Sequence, residues 1–592
     1  MNTDSVPTEN IDSAATAMFE ALYKAVDKHA PLIGVSIKPK KTPFTNSDII
    51  TLRRERRKAE RMYRRYGNSS DKKQYQSLVT DVRKLVHNTR NEFYTDKLSA
   101  CKHNKKEKFK LFSKMLGTEK EIQLPSHESE QMLCDEFEQF FTNKVQNIRR
   151  TIGNFTTTVE SLQSTLQPVI IKAFNNFNFL DDNEVTDIFS TLSNKQCDLD
   201  PVTMGLFKQC LPELLPYVKH IINLSLEKGI FPTIYKEALL NPKLKAPSLD
   251  NDIYKNYRPL SNICFLSKAL ERCVLTQLVD HLEYNNLFGD FQSAYRKFHS
   301  CETAITKITN DILLSLDNKE CSFLLFLDLS SAFDTVDHNI LLSTLNEKYG
   351  IGGIVLQWFQ SYLSGRSYKV KIGKHFSKGI CLLFGVPQGS ILGPILFILY
   401  ISDIERIAKC YGFRVHVYAD DTQLYISFVP LDIMSTVSNI EHCLREIKHW
   451  MTNNFLKLNE DKTKFLLISS NNDLHNIYTD LCISFSGNII FPSMDAINLG
   501  VTLDSTMSME VYINSIVSKG YSHLNNFWKS ASKLAYELKL ELVTSFILPL
   551  IDYCNITFLA ASQLYVRKLQ KLLNSAIRFI FNLSGTRDIV FI

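Results

Sequence analysis

The sequence predicts an α+β fold, on three observations. On either side of Asp420-Asp421 the apolar residues alternate: Phe413, Val415 and Val417 before, Leu424, Ile426 and Phe428 after. Period two is the strand period, so this stretch reads as two strands meeting at a short turn. Upstream, Phe323 to Leu327 is an unbroken apolar run and reads as a buried strand. Elsewhere the apolar stripes keep helical spacing, as in Leu266, Leu270, Val274, Leu278 and Leu282, and again in Leu569, Leu573, Ile577 and Ile580.

Both strand regions carry acids. The turn holds Asp420 and Asp421, two adjacent carboxylates that repel each other unless a cation relieves them. Aspartate is also ordinary turn chemistry, and the pair alone carries no more than that. The apolar run, however, delivers Asp328 at its end, where an acid is costly unless solvated or metal-bound. Between them, Phe384-Gly385-Val386-Pro387-Gln388-Gly389-Ser390 is a glycine-bracketed loop feeding an apolar helix. Three acids from two strand regions and a Gly-rich loop suit a two-metal phosphoryl-transfer site. Hard oxygen ligands favour magnesium or manganese.

These motifs resemble a known family. Phe326-Leu327-Asp328 with Ala332-Phe333-Asp334, then Gly385 to Ser390, then Tyr418-Ala419-Asp420-Asp421 are similar to successive palm motifs of reverse transcriptases. The Ala-Phe-Asp and Pro-Gln-Gly-Ser forms resemble the non-LTR (LINE) retrotransposon type, of the jockey superfamily. The resemblance implies a right-hand polymerase of fingers, palm and thumb, with a basic helical region before it and a helical thumb at its end. It implies RNA-directed DNA synthesis from a primer 3′-hydroxyl, with RNA template, DNA primer or target and dNTPs as partners, and two Mg²⁺ or Mn²⁺ ions as cofactors.

By the same resemblance, Asp328 and Asp420 are the bridging metal ligands, Asp421 supports them, and the backbone carbonyl of Leu329 is a further ligand. Gln388 and Gly389 line the nucleotide pocket. At Gly389 a side chain would obstruct close approach of the substrate. Arg296, in Gln292-Ser293-Ala294-Tyr295-Arg296-Lys297, falls where the family supplies an arginine to the triphosphate, although Ala-Tyr replaces the usual Gly-Phe before it. A surface ion pair is its plainer role. Phe333, five residues after Asp328, falls where reverse transcriptases place a ring under the sugar and so favour dNTPs; a core phenylalanine is the alternative. Lys462, in Leu456 to Lys464, aligns with the lysine proposed to protonate pyrophosphate, with Lys464 as runner-up and a merely solvated lysine as the alternative. Leu499-Gly500-Val501 resembles the primer-grip turn.

Composition sets the outer bounds. Hydrophobic content of 44% and charged content of 22% over 592 residues are those of a multi-domain globular protein. The net charge of +6 is unevenly placed: Thr51 to Lys114 holds 20 Lys+Arg against 7 Asp+Glu, a local +13, which leaves the rest at −7. Concentrated basicity suggests a polyanion partner, with Arg53, Arg54, Arg56, Arg57, Lys58 and Arg61 as contacts and Tyr63, Tyr66, Phe93 and Tyr94 interleaved. A solvated helical face and a nuclear-import signal remain alternatives. Thirteen scattered cysteines without a Cys-x-x-Cys pair argue against a zinc site or disulfide framework and for a reducing compartment. The polar N-terminus is no secretory signal, and the longest apolar stretch, Ile391 to Ile401, is too short to span a bilayer. A nuclear or cytoplasmic ribonucleoprotein is the expected location.

Along the chain the expected divisions are a partly ordered leader (1–45), the basic helical segment (46–125) and a connecting region with a short acidic helix (126–180). The fingers and their preceding extension (181–320), the palm (321–507) and a helical thumb (508–592) follow, with the reverse transcriptase domain as a whole at about 235–507. Linkers are expected at 117–125 and 153–168, and a group II intron maturase or telomerase-like enzyme would share the palm. A catalytically dead remnant that only binds nucleic acid is the other alternative, against which the intact Asp328, Asp420, Asp421, Gly389 and Phe333 argue. An apurinic-endonuclease-like domain needs on the order of 200 residues. Too few residues precede the basic segment for it, so the expectation is a fragment or 5′-truncated copy that extends a supplied primer and leaves plasmid intact.

Overall fold

A computed structural model describes residues 9–31, 44–101, 104–116, 124–153, 170–195, 197–289, 292–470, 481–529 and 534–583. The fold mixes helix and sheet. Two compact units form, one from 1–33 and 123–499, the other from 34–122 and 500–592.

The strands of the first unit that bear on the site are β1 (Glu237–Leu244), β2 (Tyr257–Asn262), β3 (Cys321–Leu327), β4 (Arg366–Ile372), β5 (His375–Phe376), β6 (Ile380–Leu382), β7 (Arg414–Tyr418), β8 (Asp421–Phe428) and β9 (Lys464–Ile468). One sheet runs β7-β8-β3-β9 with every neighbour antiparallel. Its inner strand β3 is the apolar run, and Phe323, Leu324 and Leu325 are fully buried. Helices Phe265–Tyr284, Gly393–Tyr400 and Ile433–Asn453 supply apolar faces to the same core. All five residues of the Leu266 to Leu282 stripe are buried there, as their spacing predicts. So is one face of the N-terminal helix Ile11–His29, through Met18, Phe19 and Leu22.

A second sheet has β1 antiparallel to β2 and parallel to β4, which also pairs the short β5 and β6. Against it packs the helix Glu130–Gly153, through Leu133, Cys134, Phe137 and Phe141. This helix continues well beyond the short acidic one expected, because Ile148 and Ile152 keep its apolar side buried. The expected linkers fall largely on 117–123 and 154–169, outside the described residues.

In the second unit the basic segment is helical, as its composition suggests. Ser47–Tyr66 and Ser69–Ala100 fold back on each other about Gly67, whose φ of 68° ends the first helix in the left-handed region. Tyr63 stacks on Tyr75 across the pair, 6.4 Å between ring centres. Tyr94, Leu98 and Phe112 then pack among Leu524, Phe527, Leu542 and Phe579 of helices Glu510–Trp528, Tyr536–Phe546 and Gln563–Phe581. Lys108 pairs with Glu541 at 2.8 Å. The basic segment thus shares a core with the C-terminal helices. In Gln563–Phe581 the buried seam is Leu569, Leu572, Ala576, Phe579 and Ile580. Leu573 and Ile577, expected on that seam, are only half-buried at its edge.

Candidate active site

The β3–β8 register brings the acids together. Leu327 pairs with Thr422, so the next step along both strands sets Asp328 across from Asp421. Tyr418 pairs with Asp421, which closes β7 and β8 through the two-residue turn Ala419-Asp420. A two-residue hairpin turn demands a positive φ, and Ala419 takes it at 58°. A Cβ in that region costs on the order of 1 kcal/mol, a strain held at the point that presents Asp420.

The electrostatics record this crowding. Desolvation first, then the Asp420 and Asp328 charges, push the Asp421 carboxyl up to about 6. Asp420 is also raised, by burial first and then by Asp328. Both carboxylates are pulled the other way by Arg258 of β2 and by Lys462. Lys462 donates to Oδ2 of Asp328 at 3.1 Å, and the Asn459 side-chain amide donates to the same oxygen at 2.9 Å. The Asn459 N–H donates to the Asp328 carbonyl and the Ser330 N–H to that of Lys457, flanking the bridge Leu329–Leu458. In such a pair the residue's own N–H and C=O point away from the partner strand, so the Leu329 carbonyl turns to the side opposite 457–459.

The Gly385–Ser390 loop is fastened from two sides. Its Gly385 and Val386 N–H groups donate to the carbonyls of Val336 and Phe333, at 2.8 and 2.9 Å. The Gln388 carbonyl accepts from the Ser261 N–H of β2 at 2.9 Å. Gly389 sits at φ 135°, and a Cβ there would come within 2.2 Å of the Ser261 carbonyl oxygen. Glycine is therefore already required by the protein's own backbone, before any substrate approaches. The Gln388 Oε1 is buried without a hydrogen-bond partner. Phe333 is half-buried and stacks on Phe397, 4.7 Å between centres.

A cleft of about 310 Å³ opens beside Asp328 and Asp421, lined also by Gln423, Lys462, Lys464 and Asn498; Phe333, Gln388 and Gly389 do not line it. Among the described residues no group of three or more His, Cys, Asp or Glu side chains is placed to hold a metal ion. The donor set is nevertheless that of a hard cation: carboxylate oxygens made mutually repulsive, which a bound charge would relieve.

Residues 243–503 match the sequence profile of the family described as reverse transcriptase (RNA-dependent DNA polymerase). This chain carries a reverse transcriptase domain. It is homologous over most of its length to RNA-directed DNA polymerases of non-LTR retrotransposons. With the probable RNA-directed DNA polymerase from transposon BS of Drosophila melanogaster it is 25% identical over 98% of this chain and 65% of the relative. With the RNA-directed DNA polymerase from mobile element jockey of Drosophila funebris it is 23% identical over 97% and 63%. With that of Drosophila melanogaster jockey it is 24% identical over 67% and 43%. The chain thus spans less than two thirds of the length of these relatives.

Within the reverse transcriptase domain, the segment bearing Arg296 docks on β7. Gln292 bridges Val417, the Ser293 N–H donates to the Val417 carbonyl at 3.1 Å, and Ala294 packs on Ala419. Arg296 itself turns back, donating to the Gly289 carbonyl at 3.3 Å and lying over the Phe288 ring. The cations that act on Asp420 and Asp421 are Arg258 and Lys462. Lys144 faces Asp334, and Lys245 is lowered by burial and then by the neighbouring cations Lys144, Lys462, Arg258 and Lys255. Arg258 stands in the run Tyr257-Arg258-Pro259, and Asn459 lies three residues before Lys462. Neither drew a role from sequence, because nothing local shows that Arg258 of β2 acts on Asp420 and Asp421 or that Asn459 meets Asp328. In the other unit, Arg54, Arg57, Lys58 and Arg61 are exposed on the Ser47–Tyr66 helix, whereas Arg53 and Arg56 are half-buried. No described helix is long and apolar enough to cross a membrane.

Proposed function

We propose that this chain is an RNA-directed DNA polymerase of a non-LTR retrotransposon, joining a primer 3′-oxygen to the α-phosphate of a dNTP on an RNA template. The observation that carries this reading is the register pairing that sets Asp328 opposite Asp421 beside Asp420, within a reverse transcriptase domain. In the right-hand description, the β7-β8-β3-β9 sheet is the palm, 181–320 the fingers and 508–592 the thumb.

Asp328, Asp420, Asp421 and the Leu329 carbonyl would hold two divalent ions, completed by water and substrate oxygens as is usual for magnesium. When bound, such ions lower the pKa of an attacking hydroxyl and stabilise the leaving pyrophosphate. The protein's own groups do the rest. Asn459 and Lys462 fix the rotamer of Asp328 by sharing its Oδ2. Lys462, which holds Asp328 Oδ2, would be the group to give a proton to a departing phosphate. Arg258, Lys245 and Lys255, with Arg296 on its loop, supply positive charge for the triphosphate. Phe333, backed by Phe397, sets the floor on which the sugar lies. Arg53, Arg54, Arg56, Arg57, Lys58 and Arg61 serve the nucleic-acid backbone. The products and partners fit a nuclear or cytoplasmic ribonucleoprotein.

The similarity to BS and jockey over 97–98% of this chain favours this origin over a group II intron maturase. Extension of oligo(dT) on poly(rA) with dTTP and Mg²⁺ tests the proposal. Extension supports it. Binding of the template without extension would instead make the chain a catalytically dead nucleic-acid-binding remnant.

A further inference from the structure

The helix Glu130–Gly153 lies outside residues 243–503, the part matched to the reverse transcriptase family. Yet its last turns reach the segments that flank the candidate site through Arg149, whose side chain is 11% exposed. The guanidinium carbon lies 3.6 Å from the ring centre of Phe384 and 4.1 Å from that of Phe455. One terminal nitrogen pairs with Oδ2 of Asp337 at 2.5 Å, and the other donates to the Thr335 carbonyl at 3.3 Å.

Each of these partners ends a segment that bears part of the site. Thr335 and Asp337 follow Phe333 and Asp334. Phe384 immediately precedes the Gly385–Ser390 loop. Phe455, held at φ 52°, begins the segment that supplies Asn459 and Lys462 to Asp328. The same junction is tied again behind the guanidinium: the Asp337 N–H donates to Tyr400 Oη at 3.3 Å, and Tyr400 donates to the Asn454 carbonyl at 2.7 Å. Asp337 Oδ1 also caps the helix His338–Glu347 through the N–H groups of Asn339 and Ile340.

We propose that Arg149 is a positioning residue that clamps these three segments in one register, so that the helix before the family-matched domain sets the width of the nucleotide pocket. This rests on the polymerase reading above. The chemistry required is that of a planar, permanently charged fork. Stacking between two rings while donating to a carboxylate and a carbonyl is a geometry lysine cannot reproduce. A misplacement of about 1 Å at the loops costs on the order of 100-fold in rate without any contact to substrate from Arg149 itself.

The test compares wild type with Arg149→Lys, Arg149→Ala and Asp337→Asn in the full chain. In steady-state extension, the clamp predicts that Arg149→Lys raises the KM for dNTP and lowers dNTP-over-rNTP selectivity, each on the order of tenfold. The Kd for primer–template should hold within about twofold. Added guanidinium ion should partly restore Arg149→Ala and leave wild type unchanged. Amide exchange gives a readout independent of catalysis. Arg149→Lys and Asp337→Asn should each speed exchange at 384–389 and at 456–460 together. If wild type extends no primer, the polymerase reading fails, while the exchange result still judges the clamp. Unchanged exchange at both segments, or a dNTP KM and selectivity equal to wild type with no guanidinium effect, would overturn it.

Discussion

Lys462 donates to Oδ2 of Asp328 at 3.1 Å, from the 3-10 turn Glu460–Lys462 that precedes β9. The pair holds the carboxylate that a metal would have to share. Removing the ammonium should therefore act on the chemical step and leave nucleotide affinity nearly intact. Lys462→Gln is expected to lower the single-turnover extension rate by about 10²-fold, the scale of a missing general acid. A dNTP KM that rises instead, with the rate unchanged, would make Lys462 a phosphate contact only.

Asp420→Asn should be more severe. It removes a carboxylate from the reacting centre and leaves the hairpin in place, so extension should fall by several orders of magnitude while RNA binding stays near wild type. Residual activity within about tenfold of wild type would show that Asp420 is turn chemistry.

The raised carboxyls make the site sensitive to pH. In the folded protein Asp421 holds its proton up to about 6, above the ordinary carboxylate value of about 3.9. The folded state therefore binds more protons than the unfolded state between those values, and stability falls as pH rises through that window. Asp421→Asn should accordingly melt higher than wild type at pH 7.5, with the gap closing as pH drops toward 4. Magnesium should raise the melting temperature of wild type at pH 7.5 and do so far less at pH 5.5, where the proton competes. A pH-independent gap between the two proteins would remove the electrostatic explanation.

Gly389→Ala meets the Ser261 carbonyl and a φ of 135° at once. The backbone must shift, at a cost on the order of 1–3 kcal/mol. Because the same contact joins the loop to β2, the variant should bind dNTP more weakly even where it is folded. A wild-type dNTP KM would mean that the loop adapts freely.

Phe333→Val tests the sugar floor. It should raise rNTP use relative to dNTP. Because the stack on Phe397 is only half-buried, the fold should lose no more than about 1–2 kcal/mol. An unchanged rNTP/dNTP ratio would leave Phe333 a core residue.

Exchanging Arg54, Arg57, Lys58 and Arg61 for glutamine should weaken RNA binding and flatten its salt dependence. The log–log slope should shrink by about 0.7 for each phosphate left without its cation. The shared core of Tyr94, Leu98 and Phe112 lies elsewhere, so the helices should keep their melting temperature. An unchanged slope would return these residues to a solvated face.

By itself the sequence determined what is local and periodic. Strand period two fixed the β7–β8 hairpin with Asp420 at its turn. The unbroken apolar run fixed β3 and the delivery of Asp328, and the stripe from Leu266 to Leu282 fixed a buried helix face. The motif resemblance singled out Gly385 to Ser390 and Phe333. Only the tertiary structure decided what lies against what. It replaced the substrate by the Ser261 carbonyl as the first reason for Gly389, and turned Arg296 toward Gly289. It brought Arg258, Asn459 and Lys462 to the acids, and drove Arg149 between Phe384 and Phe455. These relations join residues that are mostly tens to hundreds of positions apart. Hydrophobic period encodes which face of an element is buried, but the partner of a polar side chain is set by where whole sheets and helices dock, and no local pattern carries that information.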